Sequence, residues 1–184
     1  MLRTMADVLL CDDNGIIRGS ADREEAHAGK GLLHRAFSIF LFRKGRRELL
    51  IQQRSSEKKL FPLIWANTCC SHLRQGETDK EAGEKRLREE LGIECPLKEG
   101  FSFVYRAEDP RGNRSEYEFD RILLGTLKED APVRADPREV NAYRWAETEE
   151  LTKDMHLNPL HYAPWFHLGQ AIIMRKTPAS RSST

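Results

Sequence analysis

Two short stretches of this 184-residue chain carry side chains suited to holding a metal or moving a proton. The first runs from Asn67 to Gly92, opening with Cys69-Cys70-Ser71-His72 and ending near the acid pair Glu89-Glu90. If Thr68 to Ser71 is extended, the two thiols point to opposite faces, so one can be buried and inert while the other meets a pocket. A cation beside that second thiol would favour its thiolate and make it a usable acid or base. With nothing near, both are only small core residues. The second stretch is Ser115-Glu116-Tyr117-Glu118-Phe119-Asp120. As a strand it places Glu116, Glu118 and Asp120 on one face, which continues through Ile122 to Leu124 into the core. Carboxylates there repel each other and lose hydration. Either they lie at an open rim or a cation neutralises them.

Imidazoles are available at His27, His34 and His72. A lone histidine is usually a surface or core residue, and His156, His161 and His167 are read that way. Three imidazoles with two carboxylates instead suit zinc or another divalent transition metal, and magnesium less naturally because it prefers oxygen. Arg23, Arg54, Lys58, Lys59 and Arg86 form a basic group. Most such side chains are solvated surface, but Arg86 shares a helical face with Glu90, and a metal beside an arginine suits a phosphate-bearing ligand. The residues by themselves describe a metal-dependent enzyme acting on an anion, with thiol and carboxylate as proton carriers. They do not select the reaction.

Positioning falls first to a helix after Thr78. Thr78-Asp79-Lys80-Glu81 is a capping box, and Gly92 stands where a left-handed C-terminal residue is wanted. With only Ala82, Leu87 and Leu91 apolar, this reads as a solvated surface helix with ion pairs. Strands are expected at Val8–Leu10, resuming at Ile16–Ile17 after the turn Asp12-Asp13-Asn14-Gly15. Further strands are Ala36–Phe42 with Glu48–Gln52 as its hairpin partner, Phe101–Arg106, Glu116–Leu124 and Tyr143–Ala146. Ser20 to Gly31 reads as a loop or broken helix, and Pro62 makes Leu60–Trp65 irregular. Thr148–Lys153 is a short helix. Pro164 suits the first turn of a last helix bearing Trp165, Phe166, Leu168, Ile172 and Ile173. Without repeat or linker, this is one mixed α/β domain.

Composition narrows the classes. A chain of this length buries a proper core without staples. Charged residues make up 32% but nearly cancel to +1, which leaves no electrostatic footprint for nucleic acid. MLRTMADVLL is too soon broken by Asp7 for a signal peptide, and no apolar run approaches a membrane span. Cysteines 11, 69, 70 and 95 lack disulfide-framework spacing. A reduced, cytoplasmic setting is expected, with no nucleic acid and no membrane insertion, and the tail over residues 178–184 is expected to be disordered.

The stretch from Ser71 to Ile93 resembles the Nudix signature. Glu77, Leu87, Glu89, Glu90, Gly92 and Ile93 match it. Ser71 replaces its first glycine, Lys85 its arginine and Arg86 a glutamate, and that last exchange removes a carboxylate on which Nudix hydrolases depend for metal. The departures are similar to the type 1 isopentenyl-diphosphate isomerases, which share the Nudix fold. His27, His34, FPLIWANTCCSH, YRAEDP, Glu116-Tyr117-Glu118 and Ala163-Pro164-Trp165 carry that resemblance, over roughly residues 5–175.

The resemblance implies α/β (α+β) architecture, Nudix-like mixed β-sheets sandwiched by helices, in a single domain over residues 1–177. It implies interconversion of isopentenyl and dimethylallyl diphosphate in isoprenoid biosynthesis, with a small-molecule diphosphate as partner and a monomer or homodimer as the working form. His27, His34, His72, Glu116 and Glu118 would hold one divalent metal (Mn2+, Mg2+ or Zn2+). Cys70 and Glu118 would be the proton carriers, with Tyr105 hydrogen-bonded beside Glu118. Glu90, with the backbone of Cys70, would hold Mg2+ brought by the diphosphate. Arg54, Lys58 and Arg86 match diphosphate-binding positions, Arg23 stands where bacterial relatives often have lysine, and Trp165 would offer its π face to a carbocation. Two other readings stand beside it: a Nudix pyrophosphohydrolase of a nucleotide or other diphosphate, and a zinc-stabilised binding module on Cys69, Cys70 and the histidines. The latter lacks the C-x₂₋₄-C spacing of structural zinc sites.

Overall fold

Ala36 to Phe42 is apolar at every position but Ser38, a run that a strand carries when both of its faces are covered. In the computed structural model, which describes residues 7–176, all of that run is buried and its strand is the hub of the sheet. In chain order the elements begin with β1 (Asp7–Cys11), β2 (Ile17–Asp22), α1 (Arg23–Ala26), β3 (His34–Arg43) and β4 (Glu48–Arg54). Next come β5 (Trp65–Ala66), β6 (Cys69–His72), α2 (Asp79–Leu91), β7 (Lys98–Glu108) and β8 (Ser115–Thr126). The chain closes with β9 (Val140–Glu147), α3 (Thr148–Leu157), a 3₁₀ turn at Pro159–His161 and α4 (Pro164–Lys176). The tail expected to be disordered lies outside the described residues.

β3 lies between β6, antiparallel, and β8, parallel, with β7 on the outer side of β8. Because both edges of β3 are taken, the expected hairpin with β4 is confined to its turn, at Phe42↔Leu49 and Arg43↔Glu48. β4 turns away to pair with β9 and β5. The segment read as a loop from Ser20 stays in a strand to Asp22, because β1 pairs with it as far as Asp7↔Asp22. Asp22 then caps α1 by accepting from the backbone N–H groups of Glu24 and Glu25. The helix expected to end at Lys153 continues to Leu157, burying Leu151 and Met155.

Alternation along β3 divides the core. Phe37, Ile39 and Leu41 pack with Leu123 against Ala82, Leu87 and Leu91 of α2. Phe40, Phe42 and Ile122 face the other way, toward Leu151 of α3 and Trp165, Phe166 and Ile173 of α4. The sheet is thus covered by helices on both sides. α2 has its expected capping box and a Gly92 cap at φ 63°, but it is not a solvated helix. Asp79, Gly83 and Glu90 are buried along with its three apolar residues. It docks closely because position 83 has no side chain: a Cβ there would stand 2.6 Å from Leu123 Cδ1 and 2.9 Å from Leu97 Cδ1. Gly83→Val is therefore expected to cost about 1–3 kcal/mol of stability through overpacking. A lower urea midpoint at unchanged slope is the readout, and an unchanged midpoint contradicts the close approach. Among the described residues, no helix is long and apolar enough to cross a membrane.

Candidate active site

The register of the hub strand sets side chains from four strands on one face. His34 of β3 pairs with Glu118, which pairs on its other side with Tyr105. Ala36 lies between His72 and Asp120, and Ser38 between Cys70 and Ile122. Ala36 carries only a methyl group, so space remains above it for the longer side chains. His27 arrives from the end of α1, held to the start of β8 by the Ser115 N–H, which donates to its carbonyl at 3.0 Å.

Ring orientation in the histidine group is fixed from behind. Nδ1 of His27 lies 2.7 Å from the Arg23 carbonyl and Nδ1 of His34 lies 2.7 Å from that of Leu32. Those nitrogens carry the protons, which leaves each Nε2 lone pair facing forward. His27 Nε2 meets Glu116 Oε2 at 2.9 Å, and Glu118 Oε1 lies 3.5 Å from His34 Nε2 and 2.9 Å from His72 Nε2. All five candidate ligand atoms fall within 4.8 Å of one another. His34 Nε2 and Glu116 Oε2 have no hydrogen-bond partner. Acceptors crowded on acceptors in a dry site call for a cation, so these residues fit a divalent metal. Protonation behaves accordingly. Burial opposes charging His27, but Glu116, the Arg23 carbonyl and Glu118 together outweigh it and raise the pKa. Burial pushes His72 down to about 4, with Glu118 offsetting only part, so that imidazole is neutral at neutral pH. Burial also disfavours the charge on Glu118, yet the His34 and His72 rings beside it hold its pKa well below the usual range.

The two cysteines part as the strand requires. Cys69 is fully buried in the cluster under α2, while Cys70 is half-buried and faces a cavity of about 230 Å³. The thiolate is not favoured. Burial pushes Cys70 up to about 12, reinforced by Asp120 and only partly opposed by Ser38 and Arg54. At neutral pH the cavity therefore holds a thiol and a carboxylate. Tyr105 donates its hydroxyl to Glu118 Oε2 at 2.5 Å. Trp165 closes the same wall, 3% exposed, with its ring centroid 6.0 Å from that of Tyr105 and 5.3 Å from that of Phe61.

Four of the five cations line this cavity: Arg23, Arg54, Lys58 and Arg86. Arg54 donates to the carbonyls of Phe61 at 3.0 Å and Leu60 at 2.9 Å, and sits 5.3 Å from the Trp165 ring centroid. Lys58 pairs with Glu139, and Arg86 with Glu89 at 2.7 Å, with Glu139 at 3.3 Å and with Glu90. Lys59 instead pairs with the exposed Glu24 at 2.8 Å, outside the cavity wall. Glu90 is 1% exposed and meets the Arg86 guanidinium, while the cavity wall itself is made by Arg86 and Glu89. Sequence reasoning passed over Ser38, Asn67 and Glu139. Ser38 had a signal, a lone polar side chain in an apolar run; Asn67, next to Thr68, and Glu139 had none.

Comparison with known proteins follows the same outline. Residues 32–166 match the NUDIX domain. The chain is 44% identical over 158 residues to the isopentenyl-diphosphate Delta-isomerase of Nocardia farcinica, covering 86% of this chain and 89% of that one. It is 41% identical over 162 residues to the enzyme of that name from Halorhodospira halophila, covering 88% and 91%. Among solved structures, DR0079 from Deinococcus radiodurans is similar at a TM-score of 0.65 and 22% identity, covering 83% of this chain and 90% of that one, a likeness of fold.

Proposed function

Since the chain belongs to the isopentenyl-diphosphate Delta-isomerases of the NUDIX family, we propose that it moves the double bond of isopentenyl diphosphate by passing protons through Cys70 and Glu118. The observation that carries this reading is the placement of Cys70 and Glu118 on the wall of one cavity with Trp165, a thiol raised by burial and a carboxylate whose pKa is lowered. An allylic shift needs one proton added and another removed. Starting from those forms, Cys70 gives its proton to the terminal methylene, and the positive charge falls on the tertiary carbon. Glu118 takes a proton from the neighbouring carbon on the diphosphate side, which sets the double bond in its dimethylallyl position. The reverse reaction exchanges the roles. Each positioned transfer is worth ~10²–10⁴-fold.

The remaining residues hold the substrate still and dry. Arg23, Arg54, Lys58 and Arg86 bind the diphosphate. Trp165 presents its π face to the tertiary cation, a contact worth ~2 kcal/mol when desolvated. Tyr105 keeps Glu118 in place. A divalent ion on His27, His34, His72, Glu116 and Glu118 would supply the charge that holds Glu118 ionised, and the mixed nitrogen and oxygen donors suit zinc or manganese better than magnesium. Glu90 is assigned to magnesium arriving with the diphosphate, which would take over its present partner Arg86.

The test is incubation with isopentenyl diphosphate and divalent ion in deuterated water. Deuterium-labelled dimethylallyl diphosphate is expected, with the diphosphate ester intact. Release of phosphate with no allylic isomer would overturn this reading in favour of a pyrophosphohydrolase, against which Arg86 already speaks by standing where that signature wants an acid.

A further inference from the structure

We infer that Asn67 is a positioning residue that aims the Cys70 thiol and the Trp165 indole into the same cavity, an inference that rests on the proton-carrier reading above. Asn67 is 0% exposed, and its carboxamide is fully bonded. Nδ2 donates to the carbonyls of Ile39 at 3.1 Å and Cys69 at 3.0 Å. Oδ1 accepts from the Cys70 thiol at 3.1 Å and from the Trp165 indole Nε1–H at 3.1 Å. An indole nitrogen can only donate. Turning the amide over would set its NH₂ against that donor and its oxygen against two carbonyls, so one orientation alone satisfies all four bonds.

The distribution of those bonds points beyond packing. The two donors of the amide hold it to the backbone, as a structural asparagine would be held. Both bonds of its oxygen go to side chains of the cavity wall, one bearing the acid proton and one facing the cation. Asn67 and Trp165 are 98 positions apart, so this bond also ties α4 to the segment leading into β6. On a second side Ser38 Oγ lies 3.4 Å from Sγ, its own hydroxyl donated to Asp120 Oδ2 at 2.7 Å. Removing the Asn67 oxygen frees the thiol rotor and the indole plane together, while the cations around the diphosphate keep their partners.

The experiment is steady-state kinetics of Asn67→Ala with isopentenyl diphosphate, alongside the proton resonance of the Trp165 indole N–H. The expected result is a loss of kcat of about 10²-fold, the scale of a misaligned reacting group, with KM within about threefold of wild type. The indole resonance should move upfield as its hydrogen bond is lost. Unchanged kcat with only a lower melting temperature, or a raised KM at unchanged kcat, overturns the inference. If Asn67→Ala does not fold, the native protein decides. The S–H stretch that disappears in Cys70→Ser should lie below that of a free thiol, and the Trp165 indole proton should exchange slowly; a free-thiol frequency or fast exchange overturns it. Failure of the proton-carrier reading looks different, since Cys70→Ser would then isomerise normally whatever happens at Asn67.

Discussion

Cys70→Ser is expected to lower the rate of isomerisation by about 10²–10⁴-fold, the contribution of one positioned proton carrier. Cys69→Ser, one residue away, should keep activity within a few-fold and lose stability instead. The difference follows from strand alternation. Cys69 lies with Phe37, Ile39 and Leu87 beneath α2, where burial raises its pKa well above the usual thiol value and no substrate reaches it. Cys70 faces the cavity with Glu118, Tyr105 and Trp165. A serine hydroxyl in its place is a far weaker acid, although it nearly preserves shape and the bond to Asn67. Initial rates of dimethylallyl diphosphate formation decide the matter. Full activity in Cys70→Ser would sink the proton-carrier assignment, and an inactive Cys69→Ser would show that the two faces have been assigned the wrong way round.

Glu118→Gln should be at least as damaging, because one carboxylate serves two purposes. It is the proposed second proton carrier, and its Oε1 lies beside both His34 and His72. The amide can neither take the proton nor neutralise an ion. A loss of at least 10²-fold in rate is expected, together with loss of bound divalent ion after dialysis, measured by elemental analysis. Full activity overturns the assignment. Lost activity with a normal metal content would remove Glu118 from the ligand set and leave it as a carrier alone. Tyr105→Phe is the milder companion, since it deletes only the donor at 2.5 Å on the other oxygen.

The faces on which the proposed chemical residues lie were largely legible because period two along a strand is a local rule. It placed Glu116 with Glu118 and turned Cys70 away from Cys69 without knowledge of any partner. What it could not supply was the partner across the sheet. The parallel register that sets His34 on Glu118 and Ser38 beside Ile122 joins segments far apart in the chain, and no local pattern encodes it. The character of α2 was missed for the same reason. Its buried acids are compensated from elsewhere, Asp79 by Arg35 at 2.6 Å and Glu90 by its contact with Arg86. The condition set for a thiolate at the pocket-facing cysteine, a nearby cation, is met by Arg54, but burial outweighs it. Lys59 shows the converse limit: a lysine next to Lys58 in sequence pairs with Glu24 outside the site.

The parallel seam between β3 and β8 also sets the order in which this molecule can assemble. The β7–β8 hairpin closes a short loop and can form early, whereas the Ser38–Asp120 bond across the seam spans 82 residues. Contacts of such sequence separation come late, since loop closure must precede any gain from them. Until the seam zips, His34 and Glu118 ride on separate segments and the ion-binding cluster does not exist. A cation held by this cluster would therefore join a folded chain and not template it. It would stabilise that chain by mass action.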